Sequence, residues 1–174
     1  MDKTEYERIA EKYLDMVYKI ALSHTGKDTD AEDVAQQTFY RLLAKKGGFS
    51  DEEHIKRWLI RVCINECNSL FSGFWRRNVR FFSAGSDQSA EPEDSGAGGE
   101  EDPVFAAQEN KALYEAVQKL PSKCRIVIYL FYYEGYKTQE IAQILRMREP
   151  TVRTRLVRGR KLLKEELKEA WDYE

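Results

Sequence analysis

Cysteine is scarce in this 174-residue chain. There are three, an odd number, which argues against a disulfide framework and fits a reducing compartment. Long apolar runs are missing as well. The longest, Ile126 to Tyr133, falls far short of the roughly 20 residues needed to cross a bilayer. The opening stretch, MDKTEYERIAEKY, is charged and lacks the apolar core of a signal peptide, so a cytoplasmic location is expected. No glycine-rich phosphate loop is present, and no nucleophile, base and orienting group converge by sequence. No enzyme activity, cofactor, metal or small-molecule substrate is therefore expected.

What is present reads as a soluble helical protein, 42% hydrophobic and 33% charged, long enough for one domain or two small ones. Residues 4–23 place Ile9, Tyr13, Leu14, Val17, Tyr18 and Ala21 on a helical stripe. The stretch His24 to Asp28 interrupts it, and Asp28, Thr29 or Asp30 can cap a second helix. That helix, AEDVAQQTFYRLLAKK, buries Val34, Ala35, Phe39, Leu42 and Leu43, presents Glu32, Asp33, Gln36, Gln37 and Arg41, and stops at Gly47-Gly48. After Phe49-Ser50-Asp51 a third helix carries Ile55, Trp58, Leu59, Val62 and Cys63 at spacings of three and four. It runs out into Gly73 to Arg80, basic with aromatics interleaved.

Composition then changes abruptly. From Ser83 to Pro103 there are seven acidic residues, no basic ones, four glycines and two prolines. Such a segment cannot bury a core and reads as a disordered acidic linker over 81–103. It separates an expected domain over 1–80 from another over 104–174. Beyond it, Phe105 to Leu120 is amphipathic through Leu113, Ala116, Val117 and Leu120. Pro121 breaks that helix and Ser122 can cap the next. The run from Ile126 to Tyr133 is β-branched and aromatic, a strand by propensity alone. Its flanks, Pro-Ser before and Gly135 after, decide for a buried helix. The expected fold class is all-α, with two small helical domains on a flexible acidic tether.

The last stretch, TQEIAQILRMREPTVRTRLVRGRKLLKEEL, reads as two helices on a very short turn. Ile141, Ala142, Ile144 and Leu145 line one, and Val152, Leu156, Gly159, Leu163 and Leu167 the other. That is a helix-turn-helix, whose second helix lies in the DNA major groove. From Arg146 to Lys164 there are eight basic residues and one acidic, Glu149, in a chain of net charge −2. The basic helix is thus a local footprint for phosphate. Taking Val152 as inward, steps of about 100° turn Thr151, Thr154, Arg158 and Lys161 outward, with Arg153 and Arg155 on the flanks. Arginine grips guanine through two hydrogen bonds, and threonine meets a base edge or thymine methyl. Glu149, Thr151 and Thr154 are placed for bases, while Arg155, Arg160 and Lys164 suit phosphates. On its own this helix does not distinguish a repressor from other DNA-binding proteins.

Two blocks on either side of the linker, taken together, resemble the alternative sigma factors of bacterial RNA polymerase, in particular the small two-domain extracytoplasmic-function (ECF) group. In the first, Ala31-Glu32-Asp33 through Arg41-Leu42 resembles the family's AEDLVQEVFLRL-like helix, and Trp58 to Asn65 its WLYRIARN segment. In the second, Leu120-Pro121, Arg125, Glu134-Gly135, Glu140-Ile141-Ala142 and Thr151 to Leu156 match the fourth conserved region. The resemblance implies that Asp33, Gln36, Gln37 and Arg41 meet core polymerase, on the clamp helices of its largest subunit. It implies that the helix with Asn65 and the loop before it open the minus-ten element. The second domain would read the minus-35 duplex and meet the flap of the second-largest subunit. An anti-sigma partner, one able to hold this cytoplasmic chain at the membrane, is implied as well. Arg146 departs from the family pattern where glycine is usual in the turn, and so must adopt or avoid a left-handed conformation. Arg148 replaces the usual serine cap, Pro150 a small residue, and Ser69 the usual aspartate.

The expected minus-35 contacts are Arg148, Glu149, Thr151, Arg153, Thr154, Arg155 and Arg158. For the minus-ten element they are Lys56, Arg57, Arg61, Asn65, Trp75, Arg76 and Arg77, because opened bases need aromatic faces, polar groups and cations along the backbone. Trp58 lies on the apolar stripe and reads as core, whereas Trp75 suits either DNA or packing. Cys63 and Cys67, four apart, form no recognised zinc spacing with His54 and read as buried small residues. The rival reading is a stand-alone helix-turn-helix regulator that works without polymerase.

Overall fold

The computed structural model describes residues 2–79 and 108–171, and every regular element among them is helical. The expected acidic linker lies outside the described residues, as does Phe105. Two compact units divide the chain. Residues 2–21 and 29–79 belong to the first, and residues 22–28 and 108–171 to the second.

The first unit is built from α1 (Lys3–Thr25) as far as Ala21, α2 (Asp28–Ala44) from Thr29 onward, and α3 (Glu52–Val79). Asp2 Oδ1 accepts the Glu5 amide at 2.8 Å and so caps α1. Ile9, Tyr13, Val17, Ile20 and Ala21 are buried along it. Leu14 sits at the edge of that stripe and is 53% exposed, against expectation. α2 begins at Asp28 itself, so Asp28, Thr29 and Asp30 fall within its first turn, where acids favour the helix dipole, instead of preceding it as a cap. Ala31, Val34, Ala35, Thr38, Phe39 and Leu42 are buried, and the Thr38 hydroxyl is satisfied by the Val34 carbonyl at 2.8 Å. Leu43, one step of about 100° from Leu42, points outward.

α3 buries Ile55, Leu59, Ile60, Cys63, Ile64 and Cys67. Its stripe is rotated from the expected one, leaving Trp58 and Val62 half-buried. Its cap is Asp51, whose Oδ1 accepts the His54 amide at 2.7 Å.

In the second unit, α4 (Gln108–Gln118) turns Ala116 inward, with Leu120 buried just beyond it, while Leu113 is exposed. Pro121, at φ −54° and ψ 137°, is the N-cap of α5 (Ser122–Ile128). Ser122 is therefore the first helical residue and not the cap. The β-branched run is helical. Ile126, Val127, Ile128 and Leu130 are buried, and the last turn, Tyr129–Tyr133, widens into π-helical geometry before Gly135 (φ 73°) ends it. Arg125 is fully buried, with its Nη2 donating to the Leu120 carbonyl at 2.7 Å. α6 (Thr138–Leu145) and α7 (Glu149–Trp171) complete the unit. Ile141, Ala142 and Ile144 of α6 are buried with Val152, Leu156 and Gly159 of α7. Gly159 lies against α5, where a Cβ would come within 3.0 Å of Ile128 Cγ1.

Candidate nucleic-acid interface

The turn between α6 and α7 is only three residues long, and Arg146 makes it possible. Its φ of 52° and ψ of 47° are left-handed, a conformation that costs an L-residue about 1–2 kcal/mol. The return is a Schellman closure. Met147 N donates to Ala142 O at 3.0 Å and Arg146 N to Gln143 O at 3.4 Å, which satisfies two of the last four carbonyls of α6. Arg148 has no side-chain acceptor, so it serves as the start of α7 through its backbone carbonyl alone, which accepts from Thr151 N at 3.0 Å and Val152 N at 3.3 Å.

The start of α7 is tied back to the start of α6. Thr138 Oγ1 donates to Glu149 Oε1 at 2.7 Å. The same oxygen accepts from Arg153 Nη2 at 2.8 Å and Nε at 3.1 Å. The Thr138 hydrogen bond first, then that from Arg153, holds the Glu149 carboxyl below its ordinary pKa.

Outward from this frame, Arg153, Thr154, Arg158 and Lys161 are exposed, as are Arg146 and Arg148 at the turn. Thr151 and Arg155 are half-buried, and Arg155 Nη1 lies 3.6 Å from Met147 Sδ. The Thr154 hydroxyl donates to Pro150 O at 2.9 Å, leaving its methyl and oxygen lone pairs for other contacts. Val157 belongs to this face too, although the sequence reading does not single it out. It is 65% exposed amid the basic residues, and its place off the buried stripe is the available signal. Arg160 stands over the rings of Phe131 and Tyr132, at 5.7 and 5.8 Å from their centroids.

In the first unit, Asp33, Gln36, Gln37 and Arg41 share the exposed face of α2. Arg41 Nε is paired with Glu66 Oε1 of α3 at 3.0 Å. On α3, Lys56, Arg57 and Arg61 are half-buried, Arg57 is paired with Glu53 at 2.7 Å, and Asn65 is exposed. Trp75, Arg76 and Arg77 continue the helical backbone of α3, but their side chains lie outside the described residues.

The loop before α3 is ordered by contacts that periodicity did not reveal. Lys45 Nζ donates to Gly47 O and Gly48 O at 3.0 and 3.1 Å and stands 4.3 Å from the Phe49 ring centroid. Phe49 in turn meets His54 and Trp58 edge-on at 5.3 and 5.7 Å, so Trp58 is a packing partner of this loop.

Cys63 and Cys67 are fully buried. The neighbouring Cys67 thiol and then burial push the Cys63 thiol well above its ordinary pKa, which keeps it protonated and unreactive. His54 is turned to Ser50, 3.1 Å from its hydroxyl. Among the described residues no group of three or more His, Cys, Asp or Glu side chains is placed to hold a metal, and no helix is long and apolar enough to cross a membrane.

Comparison with known proteins places these units. Residues 9–80 match the family described as Sigma-70 region 2, and residues 110–163 that described as Sigma-70, region 4. The ECF RNA polymerase sigma factor SigW of Bacillus subtilis is 27% identical over 97% of this chain and 91% of its own length. SigL of Mycobacterium tuberculosis, also an ECF RNA polymerase sigma factor, is 34% identical over 87% of this chain and 84% of its own length. The sigma factor RpoE of Bartonella quintana, solved in complex with the anti-sigma factor NepR, shares the fold with a TM-score of 0.70. It is 22% identical, over 94% of this chain and 97% of that one. CnrH, solved in complex with the cytosolic domain of CnrY, has a TM-score of 0.63 at 21% identity, over 96% of this chain and 90% of that one. With regions 2 and 4 both matched in order, and a relative as similar as SigL covered over most of its length, the chain belongs to the sigma-70 family of RNA polymerase sigma factors, in its ECF group.

Proposed function

We propose that this chain is an alternative sigma factor of the ECF type that binds core RNA polymerase and directs promoter recognition, DNA melting and transcription initiation. The observation that carries the reading is the order of the two matched regions, with region 4 falling on a helix-turn-helix whose second helix turns a basic face outward. A stand-alone regulator is not favoured, because such a protein has no use for a region 2. Bond making belongs to the polymerase, and this chain supplies binding and orientation.

The division of labour follows the exposed faces. Asp33, Gln36, Gln37 and Arg41 dock on the clamp helices of the largest polymerase subunit. Lys56, Arg57, Arg61 and Asn65, with Trp75, Arg76 and Arg77, hold the opened minus-ten strand, where cations follow phosphates and polar groups meet unstacked bases. Arg148, Thr151, Arg153, Thr154, Arg155 and Arg158 engage the minus-35 duplex, and the unit that carries them meets the flap of the second-largest subunit. The domains run over 1–80 and 104–174, joined by the acidic segment 81–103. The chain works in the cytoplasm. An anti-sigma factor masks it when it is idle, a reading supported by RpoE, whose structure contains the anti-sigma factor NepR.

Core binding tests the docking assignment. Replacing Asp33, Gln36 and Gln37 together by alanine lowers affinity for core polymerase at least about tenfold, the usual scale for losing a few interface contacts. The thermal midpoint stays put, because all three side chains are exposed. Unchanged core affinity contradicts the assignment.

A further inference from the structure

We infer that Glu149 is a positioning residue for Arg153, and that this pairing makes Arg153 a reader of guanine in the minus-35 element. The inference rests on the reading that α7 lies in the major groove.

The geometry is specific about which edge of the guanidinium is left over. An arginine offers five N–H donors in a planar fork. Here Nε and one hydrogen of Nη2 are both given to Glu149 Oε1, at 3.1 and 2.8 Å. The edge that remains carries one hydrogen of Nη1 beside the second of Nη2, while the other Nη1 hydrogen points back along the side chain. Two parallel donors on one edge are what the O6 and N7 acceptors of guanine require.

Glu149 is itself held from a second helix. Its Oε1 accepts from Thr138 Oγ1 at 2.7 Å, across eleven residues of sequence. The Arg153 side chain is 67% exposed and that of Glu149 26%. The anchor is therefore half-sheltered while the reading group reaches solvent. An arginine at such a site, left alone, would spread over many rotamers and meet phosphates as readily as bases, since its fork matches phosphate oxygens too and such contacts carry no sequence information. Fixing the fork before DNA arrives removes that ordering cost from the specific complex. The carboxylate also discourages a simple phosphate contact, since it brings negative charge toward the backbone. Specificity is thus gained at the expense of general affinity.

A randomised duplex pool, selected with the wild-type chain bound to core polymerase and then sequenced, tests this. The same selection is run with Glu149→Ala, Glu149→Gln, Thr138→Val, Arg153→Ala and Arg158→Ala. Wild type selects a guanine that Arg153→Ala no longer requires. Glu149→Ala and Thr138→Val lose preference at that same position by about tenfold, within the range for one bidentate contact. Glu149→Gln, which keeps an acceptor oxygen, recovers part of it. Binding of Glu149→Ala to unselected duplex is unchanged or tighter.

A purely structural role for Glu149, as an acid in the first turn of α7, would lower the thermal midpoint and leave the selected sequence alone. That outcome overturns the proposal. So does a loss of preference at a position other than that of Arg153. Failure of wild type to select any sequence, or an unchanged selection with both Arg153→Ala and Arg158→Ala, instead overturns the major-groove reading itself.

Discussion

Gly159 of α7 lies directly against Ile128 of α5: a Cβ built on the glycine would stand 3.0 Å from Ile128 Cγ1, 3.2 Å from Cδ1 and 3.5 Å from Cys124 Cβ. The two helices approach this closely because the glycine has no side chain. Ile128 is itself buried and has little room to withdraw. Gly159→Leu therefore overpacks the core of the second unit and destabilises it by about 1–3 kcal/mol or more. Alanine gains up to about 1 kcal/mol of helix propensity and loses a comparable amount to crowding. Thermal unfolding of both variants gives the comparison. A leucine variant as stable as wild type contradicts the close packing.

The strained turn makes the opposite prediction. Arg146 holds a left-handed backbone at φ 52° with no glycine to ease it. Arg146→Gly relieves about 1–2 kcal/mol of strain and gives back part of it as unfolded-state entropy, for a net gain of about 0.5–1 kcal/mol. Chemical denaturation measures the gain, and a loss of stability would show that the arginine side chain contributes more than its backbone costs.

The first unit should soften in acid. Glu52 accepts from Arg8 and pairs with Lys12 at 3.3 Å. The Arg8 hydrogen bond above all holds its carboxyl below the ordinary value of 4.5. A carboxyl with a depressed folded-state pKa contributes stability that is fully present above the ordinary value, and that contribution disappears as pH falls through the folded one. Asp51, lowered chiefly by the His54 amide it caps, acts in the same direction. The difference in thermal midpoint between wild type and Glu52→Gln is therefore constant above about pH 5.5, one unit beyond the ordinary value, and shrinks as pH falls below 4.5. A difference that persists undiminished at lower pH contradicts the ion-pair account.

On the outward face of α7, Arg158→Ala and Thr154→Ala each weaken use of the minus-35 element by about 1–3 kcal/mol, while core binding is unaffected. For Arg158→Ala, loss of a base contact changes sequence preference, whereas loss of a phosphate contact lowers affinity uniformly and reduces the salt slope by about one. Footprinting across a salt series separates the two. Equal loss of core binding would mark these residues as structural.

Much of this was legible in the sequence because helices announce themselves locally. The apolar spacing of Val152, Leu156 and Gly159 against Ile141, Ala142 and Ile144 is enough to infer two crossing helices, and all six are buried. Flanking residues decide the Ile126 to Tyr133 run for helix against its own strand propensity, but nothing local indicates that its last turn widens or that Tyr132 and Tyr133 stand exposed instead of buried. Leu14, Leu43 and Leu113 are exposed against expectation because hydrophobicity identifies a residue that can be buried and leaves its angle to the neighbours that exist. The tie between Thr138 and Glu149 is invisible in the sequence for a related reason, whereas Glu149 and Arg153 stand four apart on one helix, a spacing the sequence does show. The Thr138 bond joins the first turns of two helices, which meet across the left-handed turn at Arg146. Glu149 reads as a lone acid in a basic stretch, when its carboxylate is already engaged.

Reconstituted run-off transcription with core RNA polymerase and genomic fragments tests the central claim most directly. The purified chain should bind core and yield discrete transcripts from a limited set of promoters that core alone does not use. Thr154→Ala and Arg158→Ala should reduce those transcripts while still binding core. A chain that neither binds core polymerase nor directs initiation at any fragment would contradict the account.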